Sequence, residues 1–389
     1  MHAFLSFVLL IFTLQVHAQS QPVKSLDFTI HQEYTSTRAL GMGNAFTAVA
    51  DDHSSIFYNP ATLAFRTQGH LRMFGRAATN SESLGLFKKL KDLSKLPQAS
   101  QPQAFTDFIT ENYGKHYYYR IPTAGAIWAR PNWGMALIPA DLSLDAAMHR
   151  QVGPMININL YQDATLAVSY ARKINVGSGH DFSIGATAKA LYRIHVGEAI
   201  SAGQLADGSS VFDKSHANEG LTGDLDLGTY WKPPAPNSGF FKFLKHMQPS
   251  FAIVGRNLVD YGFKANLHKI DPNSGEPPKL QRRLDIGSKW DLPNFWVFDP
   301  KMGLDMRDIF HPNWTPKKGF HAGIEAYWKM YNWWKGHWSI GLNQGYMTAG
   351  FGARMAFFQL DLATYGEEVG SSSTPTESRR YMAEMALDF

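Results

Sequence analysis

The sequence has no cysteine among its 389 residues, which excludes disulfide scaffolds, Cys-liganded zinc, iron–sulfur clusters and thiol nucleophiles. Charged residues are also scarce, at 18%, which argues against a disordered or coiled-coil chain. No block of basic residues is present, so nucleic acid is not an expected partner. A mean hydropathy of −0.26 is too polar for a bundle of membrane helices. These absences leave a folded, mildly basic chain without thiol chemistry.

The only long apolar run covers residues 3–16 and leads into Val16-His17-Ala18. Its length fits the apolar region of a signal peptide and falls short of the roughly 20 residues that a spanning helix needs. Val16 and Ala18 occupy the two positions that a signal peptidase reads. We therefore expect residues 1–18 to be a signal peptide that is cleaved before Gln19. The segment lacks Lys and Arg, and an N-terminal membrane anchor is the alternative.

Beyond residue 65 the dominant pattern is an alternation of apolar and polar residues, which is typical of β-strands. In 182–196 the even positions are apolar, whereas the odd positions include Lys189, Arg193 and His195. Similar alternation occurs in 134–148, 284–292 and 320–330. These runs are longer than most soluble strands and match the roughly 9–11 residues that a tilted strand needs to cross a bilayer. The pattern therefore predicts a membrane barrel.

The predicted fold is all-β: a transmembrane antiparallel β-barrel of about 14 strands, with the charged face lining a wet lumen. One of the strands is predicted over 248–264. Long loops are expected near 79–116 and 198–219, and the first of them contains stretches with helical periodicity. Aromatic residues near predicted strand ends fit the interfacial girdles of such barrels. They include Tyr117, Tyr118, Tyr119, Trp128, Trp133, Trp231, Trp290, Trp296, Trp333 and Trp334.

The most specific segment is 39–64, which combines a Gly-x-Gly start, two adjacent aspartates and an Asn-Pro-Ala end. Its motif residues are Gly41, Gly43, Asp51, Asp52, Asn59, Pro60 and Ala61. The glycines permit close backbone approach, the aspartates can accept backbone N–H groups, and Asn-Pro favours a turn into the first strand. The segment resembles the N-terminal hatch of the FadL-type transporters of hydrophobic compounds, a group that includes PorV-type relatives.

This resemblance implies a hatch over 19–65 that lies inside the lumen of a barrel over 66–389. It also implies passive uptake of long-chain fatty acids or other hydrophobic compounds across the outer membrane of a Gram-negative-type envelope. The expected partners are a hydrophobic small molecule or fatty acid, and outer-membrane lipid. The PorV-type relatives imply an alternative, in which the barrel is a non-enzymatic accessory that binds a secretion-system protein.

Other interpretations of the same residues lead to different chemistry. A phosphate-binding loop would need a third glycine after Gly41 and Gly43 and a preceding buried strand. A cation at Asp51 and Asp52 would need further carboxylate or histidine ligands nearby. An acyl hydrolase would need a catalytic triad, and no Gly-x-Ser-x-Gly elbow is present. We therefore expect no enzyme activity, no catalytic residues, no metal and no cofactor.

The C-terminal strand alternates as well, with Tyr381, Met385, Leu387 and Phe389 on its apolar face. It resembles the closing-strand signal that the outer-membrane barrel assembly machinery reads, so that machinery is a further expected partner. Within the lumen, the inward-facing cations Lys189, Arg193 and Lys289 are candidate anchors for a substrate carboxylate. Each of them is equally well explained as a solvated lumen residue.

Overall fold

The computed structural model describes residues 28–150, 154–206, 216–235, 245, 247–371 and 374–389. The predicted signal peptide lies outside these residues, as does the first part of the predicted hatch. The strands are β1 His70–Asn80, β2 His116–Ala129, β3 Trp133–Arg150, β4 Pro154–Ile174, β5 Asp181–Ser201, β6 Asn218–Lys232, β7 Pro249–Arg256, β8 Arg283–Asp291, β9 Phe298–Ile309, β10 Phe320–Tyr331, β11 Trp334–Asn343, β12 Tyr346–Met355, β13 Phe358–Glu368 and β14 Glu377–Asp388.

Each strand pairs antiparallel with its neighbours in sequence, and β1 pairs with β14 to close the barrel. The closing register joins Arg72 to Asp388 and Asn80 to Arg380. The predicted 14-stranded antiparallel barrel is thus confirmed. The described helices are α1 Thr37–Gly41, α2 Ser55–Tyr58, α3 Leu86–Ser94, α4 Gln101–Glu111, α5 Ala202–Ala206 and α6 Pro316–Gly319, with 3₁₀ helices at Pro60–Phe65 and Gln98–Ser100. None of these helices is both long enough and apolar enough to cross a bilayer.

The two ends of the barrel differ in the length of their connections. At the end where β1 begins and β14 ends, the turn end, connections such as 130–132, 332–333 and 356–357 are short. The opposite end, the loop end, carries the connections 81–115 and 257–282. In outer-membrane barrels the short turns face the periplasm and the long loops face the exterior. The loop end therefore has the longer connections, such as those that face the exterior in barrels of this kind.

The outer wall is apolar, as expected for a surface that contacts lipid. On β4, Leu166, Val168 and Tyr170 are 45%, 50% and 60% exposed, whereas the lumen-facing residues between them are buried. The alternation predicted for β5 is also present, because Lys189 and Arg193 are buried on the lumen side.

An aromatic belt surrounds the turn end. Trp128 contacts Trp133 with 4.9 Å between ring centroids, and Trp231, Phe251 and Trp290 form a continuous chain of ring contacts. The prediction of a girdle was wrong for 117–119, because none of these side chains lies free at the surface of the wall. Tyr118 lies inside the lumen under the guanidinium of Arg380, and Tyr117 is buried beneath helices.

The connection after β7 departs from the sequence pattern, whereas the first long loop follows it. The strand predicted over 248–264 was too long: β7 ends at Arg256, because Asn257 and Asp260 adopt left-handed backbone conformations, with φ of 53° each. The remainder of 257–282 folds over the loop end, where Phe263 packs on Leu191. Helical periodicity in the first long loop is confirmed by α3 and α4, which cover the outer face of the wall beyond the lipid-contacting residues.

Candidate functional site

The described part of the hatch, residues 28–65, fills the lumen and runs from the loop end to the turn end. The Ser36 hydroxyl accepts a bond from the Ala39 N–H at the start of α1. Near the turn end, the Asn59 side chain accepts a bond from the Ala61 N–H at 3.0 Å, and Pro60 begins the 3₁₀ helix. The hatch has an aromatic core of its own, in which Phe46 packs edge-on against Tyr58 at 5.4 Å.

A row of glycines in the wall allows the hatch backbone to contact the barrel. Gly303, Gly323 and Gly341 are direct cross-strand neighbours on β9, β10 and β11. A Cβ on Gly303 would lie 2.5 Å from the Ala45 carbonyl oxygen, and one on Gly341 would lie 2.7 Å from the Gly43 nitrogen. Only a residue without Cβ fits such a backbone-to-backbone contact. Hatch and wall are therefore matched in shape along this glycine row.

Gly43 is restricted in two ways, by its conformation and by its surroundings. Its φ is +65°, a left-handed conformation that favours glycine. A Cβ there would lie 2.6 Å from the Leu342 carbonyl oxygen. On the neighbouring turn of the hatch, a Cβ on Gly41 would lie 2.6 Å from the Cα of Gly350. Both glycines of the motif thus lie where the hatch backbone touches the wall.

Wall side chains satisfy the irregular backbone of the hatch, which lacks the hydrogen bonds of a long helix or sheet. The Thr348 hydroxyl donates to the Gly41 carbonyl at 2.9 Å and accepts from the Gly43 N–H at 3.0 Å. Asp305 accepts from the Thr47 N–H at 2.7 Å. The Asn59 amide donates to the Thr47 carbonyl and to the Thr229 carbonyl of β6, both at 3.0 Å. The Asn-Pro turn of the motif is thus bonded directly to the wall.

Arg38 connects the two aspartates of the motif to the barrel. Its guanidinium donates to Asp51 at 2.7 Å, to Asp52 at 2.8 Å and through two nitrogens to Glu325 at 2.7 Å each. Lys301 of β9 adds an ion pair to Asp51 at 2.6 Å. Burial alone would raise the pKa of Asp52, but the charge of Arg38 and other neighbours outweigh burial and hold that pKa well below its usual range.

The motif carboxylates therefore already have partners. Asp52 also accepts bonds from the N–H and the hydroxyl of Ser54, at 2.8 and 2.6 Å. In the part of the chain that the structure describes, no group of three or more His, Asp or Glu is placed to hold a metal ion. Gly41 ends α1 and does not precede a helix, so the segment does not have the geometry of a phosphate-binding loop.

A second set of ion pairs holds the other end of the hatch near the loop end. Glu33 pairs with Arg283 of β8, which also bonds to Asp308 at 3.2 Å. His31 lies 3.2 Å from Asp163 and stacks on Tyr161 with 4.0 Å between ring centroids. The hatch is thus attached to the wall by charged groups near the loop end and at Arg38, by glycine contacts at several points, and by an apolar cluster that includes Leu63 of the hatch and Ile127 of the wall.

Two cavities lie above the hatch, on either side of the stacked pair His31 and Tyr161. The lining of the first includes Tyr118, Arg120 and Arg380. The lining of the second includes Arg193, Arg283 and Asn313. Both cavities are partly open to solvent. Polar and aromatic side chains dominate both linings, and the first hatch residues form part of each.

The structure does not bring the three candidate anchors together. Lys189 bonds to Asp226 at 2.9 Å in the middle of β5, and Arg193 forms a two-nitrogen bond to Asp163 at 2.8 and 2.7 Å. Lys289 lies near the turn end and pairs with Asp291 at 3.2 Å. Of the three candidates, Arg193 alone lines one of the two described cavities. A substrate carboxylate would have to compete with Asp163 there.

Several residues of the site were not predicted from the sequence. Arg38 and Glu33 carry the charged attachments of the hatch, and His31 separates the two cavities. One signal was available: Arg38 is the only arginine between residues 19 and 65, and it precedes two adjacent aspartates that require a counter-charge. No comparable signal marks Glu33 or His31, because their partners lie on distant strands.

No protein-family model and no curated protein matches the chain. Solved barrels do resemble it. The monoaromatic hydrocarbon channel CymD is 10% identical, with a TM-score of 0.49, and the match covers 90% of this chain and 96% of CymD. The toluene transporter TbuX of Ralstonia pickettii is 9% identical, with a TM-score of 0.49 and coverage of 92% and 99%. A FadL homologue of Pseudomonas aeruginosa is 8% identical, with a TM-score of 0.42 and coverage of 93% and 98%.

Proposed function

We propose that this protein is an outer-membrane channel for the passive entry of small hydrophobic compounds, and that its hatch is the gate. Long-chain fatty acids are one such class of compound. The observation that carries the proposal is the attachment of the hatch: it fills the lumen, an apolar cluster fixes it to the wall near the turn end, and polar and charged contacts hold its first residues near the loop end. The contacts of these first residues can exchange for water when this part of the hatch moves, because polar groups that lose a protein partner can bond to water instead.

The location follows from the same architecture. An apolar outer wall, an aromatic belt at the turn end and long connections at the loop end are features of outer-membrane barrels. We infer that residues 1–18 direct export, that the C-terminal strand is read by the barrel assembly machinery, and that the loop end faces the exterior of a Gram-negative-type envelope. The two cavities would then be the first spaces that an entering molecule meets. No step of this proposal breaks a covalent bond.

The test is to lock the hatch and measure uptake. The Asn313 amide donates to the Thr29 carbonyl at 2.8 Å, so cysteines at Thr29→Cys and Asn313→Cys lie close enough for a short bis-methanethiosulfonate crosslinker, which binds each thiol through a disulfide and releases methanesulfinate. The chain has no other cysteine that could react. Uptake of a labelled long-chain fatty acid, a monoaromatic hydrocarbon and a sugar is measured in cells that lack their own channels for these compounds. We expect crosslinking to reduce entry of the hydrophobic probes at least tenfold and reduction to restore it.

Each single-cysteine variant treated with the same reagent is the matched control, because it carries the chemistry without the bridge. If the hydrophobic probes enter through the fully crosslinked protein at the wild-type rate, the hatch is not the gate. If only the sugar enters through the wild-type protein, hydrophobic compounds are not the substrates.

A second candidate function is the PorV-like one, a barrel that binds a secretion-system protein. The specific observation in its favour is the elaborate loop end, where α3 and α4 cover the outside of the wall and 257–282 folds over the lumen. Native mass spectrometry after mild detergent extraction separates the two. A co-purifying hydrophobic molecule supports the channel, whereas a co-purifying protein without such a molecule supports the accessory role.

A further inference from the structure

A row of lysines lies on the exposed side of α3, which is one of the two helices outside the barrel. Lys88, Lys91 and Lys95 are spaced by three and four residues, so they project from the same side of the helix. All three are exposed. We call these residues the lysine row.

The opposite side of α3 is apolar and faces α4. Leu86 is buried, and Leu90 and Leu93 pack on the same apolar cluster, which includes Ile156 and Ile158 of β4. Ile156 and Ile158 lie on the outer face of that strand, where α4 packs on β3 and β4, and α3 packs on α4. The lysine row therefore points away from the protein toward whatever surrounds the barrel.

The charge of the row is largely uncompensated. Within the described ranges, the one acidic partner of these lysines is Asp92, which lies 3.2 Å from Lys95. Lys88 and Lys91 have no carboxylate within ion-pair distance in the same part of the structure, and neither does the neighbouring Lys89. About two turns of a lysine-rich helix thus present several free ammonium groups on one exposed surface.

The height of the helix on the wall places this charge just beyond the lipid-contacting band. On the outer face of β4 the residues exposed to lipid include Leu166, and the polar Gln162 follows toward the loop end. The cover formed by α3 and α4 begins beyond it, at Ile158 and Ile156. At about 3.3 Å per residue, the step from Gln162 to Ile158 is roughly 13 Å along the strand. Lipid headgroups occupy this level beside a membrane barrel.

We propose that the lysine row binds the phosphate groups of the anionic glycolipid that forms the outer leaflet around the barrel. This inference rests on the outer-membrane location proposed above. Lysines are point charges that suit phosphate oxygens, and an anionic membrane surface attracts them. The apolar side of α3 fixes the row beside α4 on the outside of the barrel, so the contact needs no new fold and leaves the lumen free.

The experiment compares binding of purified lipopolysaccharide by the whole protein in phosphatidylcholine nanodiscs. The variant replaces the row, as Lys88→Gln, Lys91→Gln and Lys95→Gln, and the matched control replaces three exposed cations at the turn end, as Arg172→Gln, Lys245→Gln and Lys329→Gln. We expect the row variant to bind at least tenfold more weakly and the control to bind as the wild type does. Added salt should reduce wild-type binding, because screening weakens exposed charges.

Enzymatically dephosphorylated lipopolysaccharide is the second probe. We expect the wild type and the row variant to bind it equally weakly. Equal binding of intact lipopolysaccharide by the wild type and the row variant would overturn the proposal. A row-dependent affinity that survives removal of the phosphates would also overturn it, because another anion would then be the ligand. Failure of the uptake experiment would leave both results unchanged, so the two proposals can fail separately.

Discussion

Arg38 of the hatch and Glu325 of β10 form a two-nitrogen ion pair at 2.7 Å, and the Glu325 side chain has no exposed surface. Replacing Arg38 by alanine would leave a buried carboxylate with only the more distant Lys301, at 3.6 Å. A buried charge that loses its partner costs on the order of 3 kcal/mol. We expect Arg38→Ala to release the hatch and raise the ion conductance of the barrel in planar bilayers.

The double variant Arg38→Ala with Glu325→Gln provides the control for this first prediction. It removes the unpaired negative charge at position 325, so the conductance should fall back toward that of the wild type. Arg38→Lys should give an intermediate value, since one ammonium cannot form the two parallel bonds of a guanidinium. If Arg38→Ala conducts no more than the wild type, the ion pair does not hold the hatch.

The second prediction concerns acidity. Burial lowers the pKa of His53 in the hatch from 6.5 to about 4, although the nearby Asp52 opposes this shift. Because the folded protein holds His53 neutral, its contribution to stability is present above pH 6.5 and is lost as the pH falls toward 4. The loss is about 3 kcal/mol across this window. Hydrogen exchange of hatch amides, corrected for intrinsic rates, should therefore show weaker protection at pH 5 than at pH 7.

Other groups titrate in the same range, so the informative quantity is a difference. His53→Gln cannot bind the proton, and its hatch protection should change less between pH 7 and pH 5 than that of the wild type. The charged neighbours of His53, namely Asp52, Arg72, Glu384 and Asp388, are the same in both proteins. If the protection of hatch amides falls equally with pH in the wild type and in His53→Gln, the pH effect is due to those neighbours and not to His53.

The third prediction tests the glycine row. A Cβ on Gly323 would lie 2.7 Å from the carbonyl carbon of Met42, so Gly323→Ala should push the hatch away from β10. Overpacking of this kind costs about 1–3 kcal/mol. Gly75→Ala is the matched control, because a Cβ at that wall position meets nothing within 4 Å. We expect Gly323→Ala to raise conductance and protease sensitivity of the hatch without changing the heat stability of the barrel, and Gly75→Ala to do neither.

The fourth prediction concerns the end of the wall. Phe389 is 62% exposed on the outer surface, and its backbone exchanges two bonds of 2.9 Å with Leu71. If the assembly machinery reads this residue, Phe389→Ala should lower the amount of folded barrel in the membrane severalfold. The heat-dependent mobility of the barrel on electrophoresis measures that amount. Trp338→Ala, an equally exposed aromatic in the middle of β11, should have little effect.

The strands of the wall could be predicted from the sequence because the alternation of apolar and polar residues in each strand shows which side chains face outward. In β5 every second residue faces lipid, so the alternation alone placed Lys189 and Arg193 in the lumen. The boundary of β7 could not be predicted in this way. The apolar residues after Arg256 continue the strand pattern, yet Val259 and Tyr261 are exposed, and Phe263 packs on Leu191 inside the loop end. Alternation shows which face is apolar and does not show what covers that face.

The hatch was recognisable from its motif, but its contacts were not. Asp51 and Asp52 were expected to accept nearby backbone N–H groups, and Asp52 does accept that of Ser54. Both aspartates also pair with Arg38, and Asp51 pairs with Lys301, which the sequence did not indicate. Lys301 lies 250 residues away from Asp51 along the chain. Such a pairing depends on which strands border the hatch, and a single sequence contains no local signal for it. For the same reason the lumen, expected to be wet, is occupied largely by the hatch and by buried ion pairs.

The position of the hatch constrains the order in which the molecule can be assembled. Thr37 bonds to Glu384, 347 residues later in the chain, and the lumen becomes enclosed only when β14 joins β1. A folded segment in contact with so many strands cannot be threaded into a finished cylinder. The hatch therefore either folds in place before the seam closes, or enters the lumen as an unfolded segment and folds there against the finished wall.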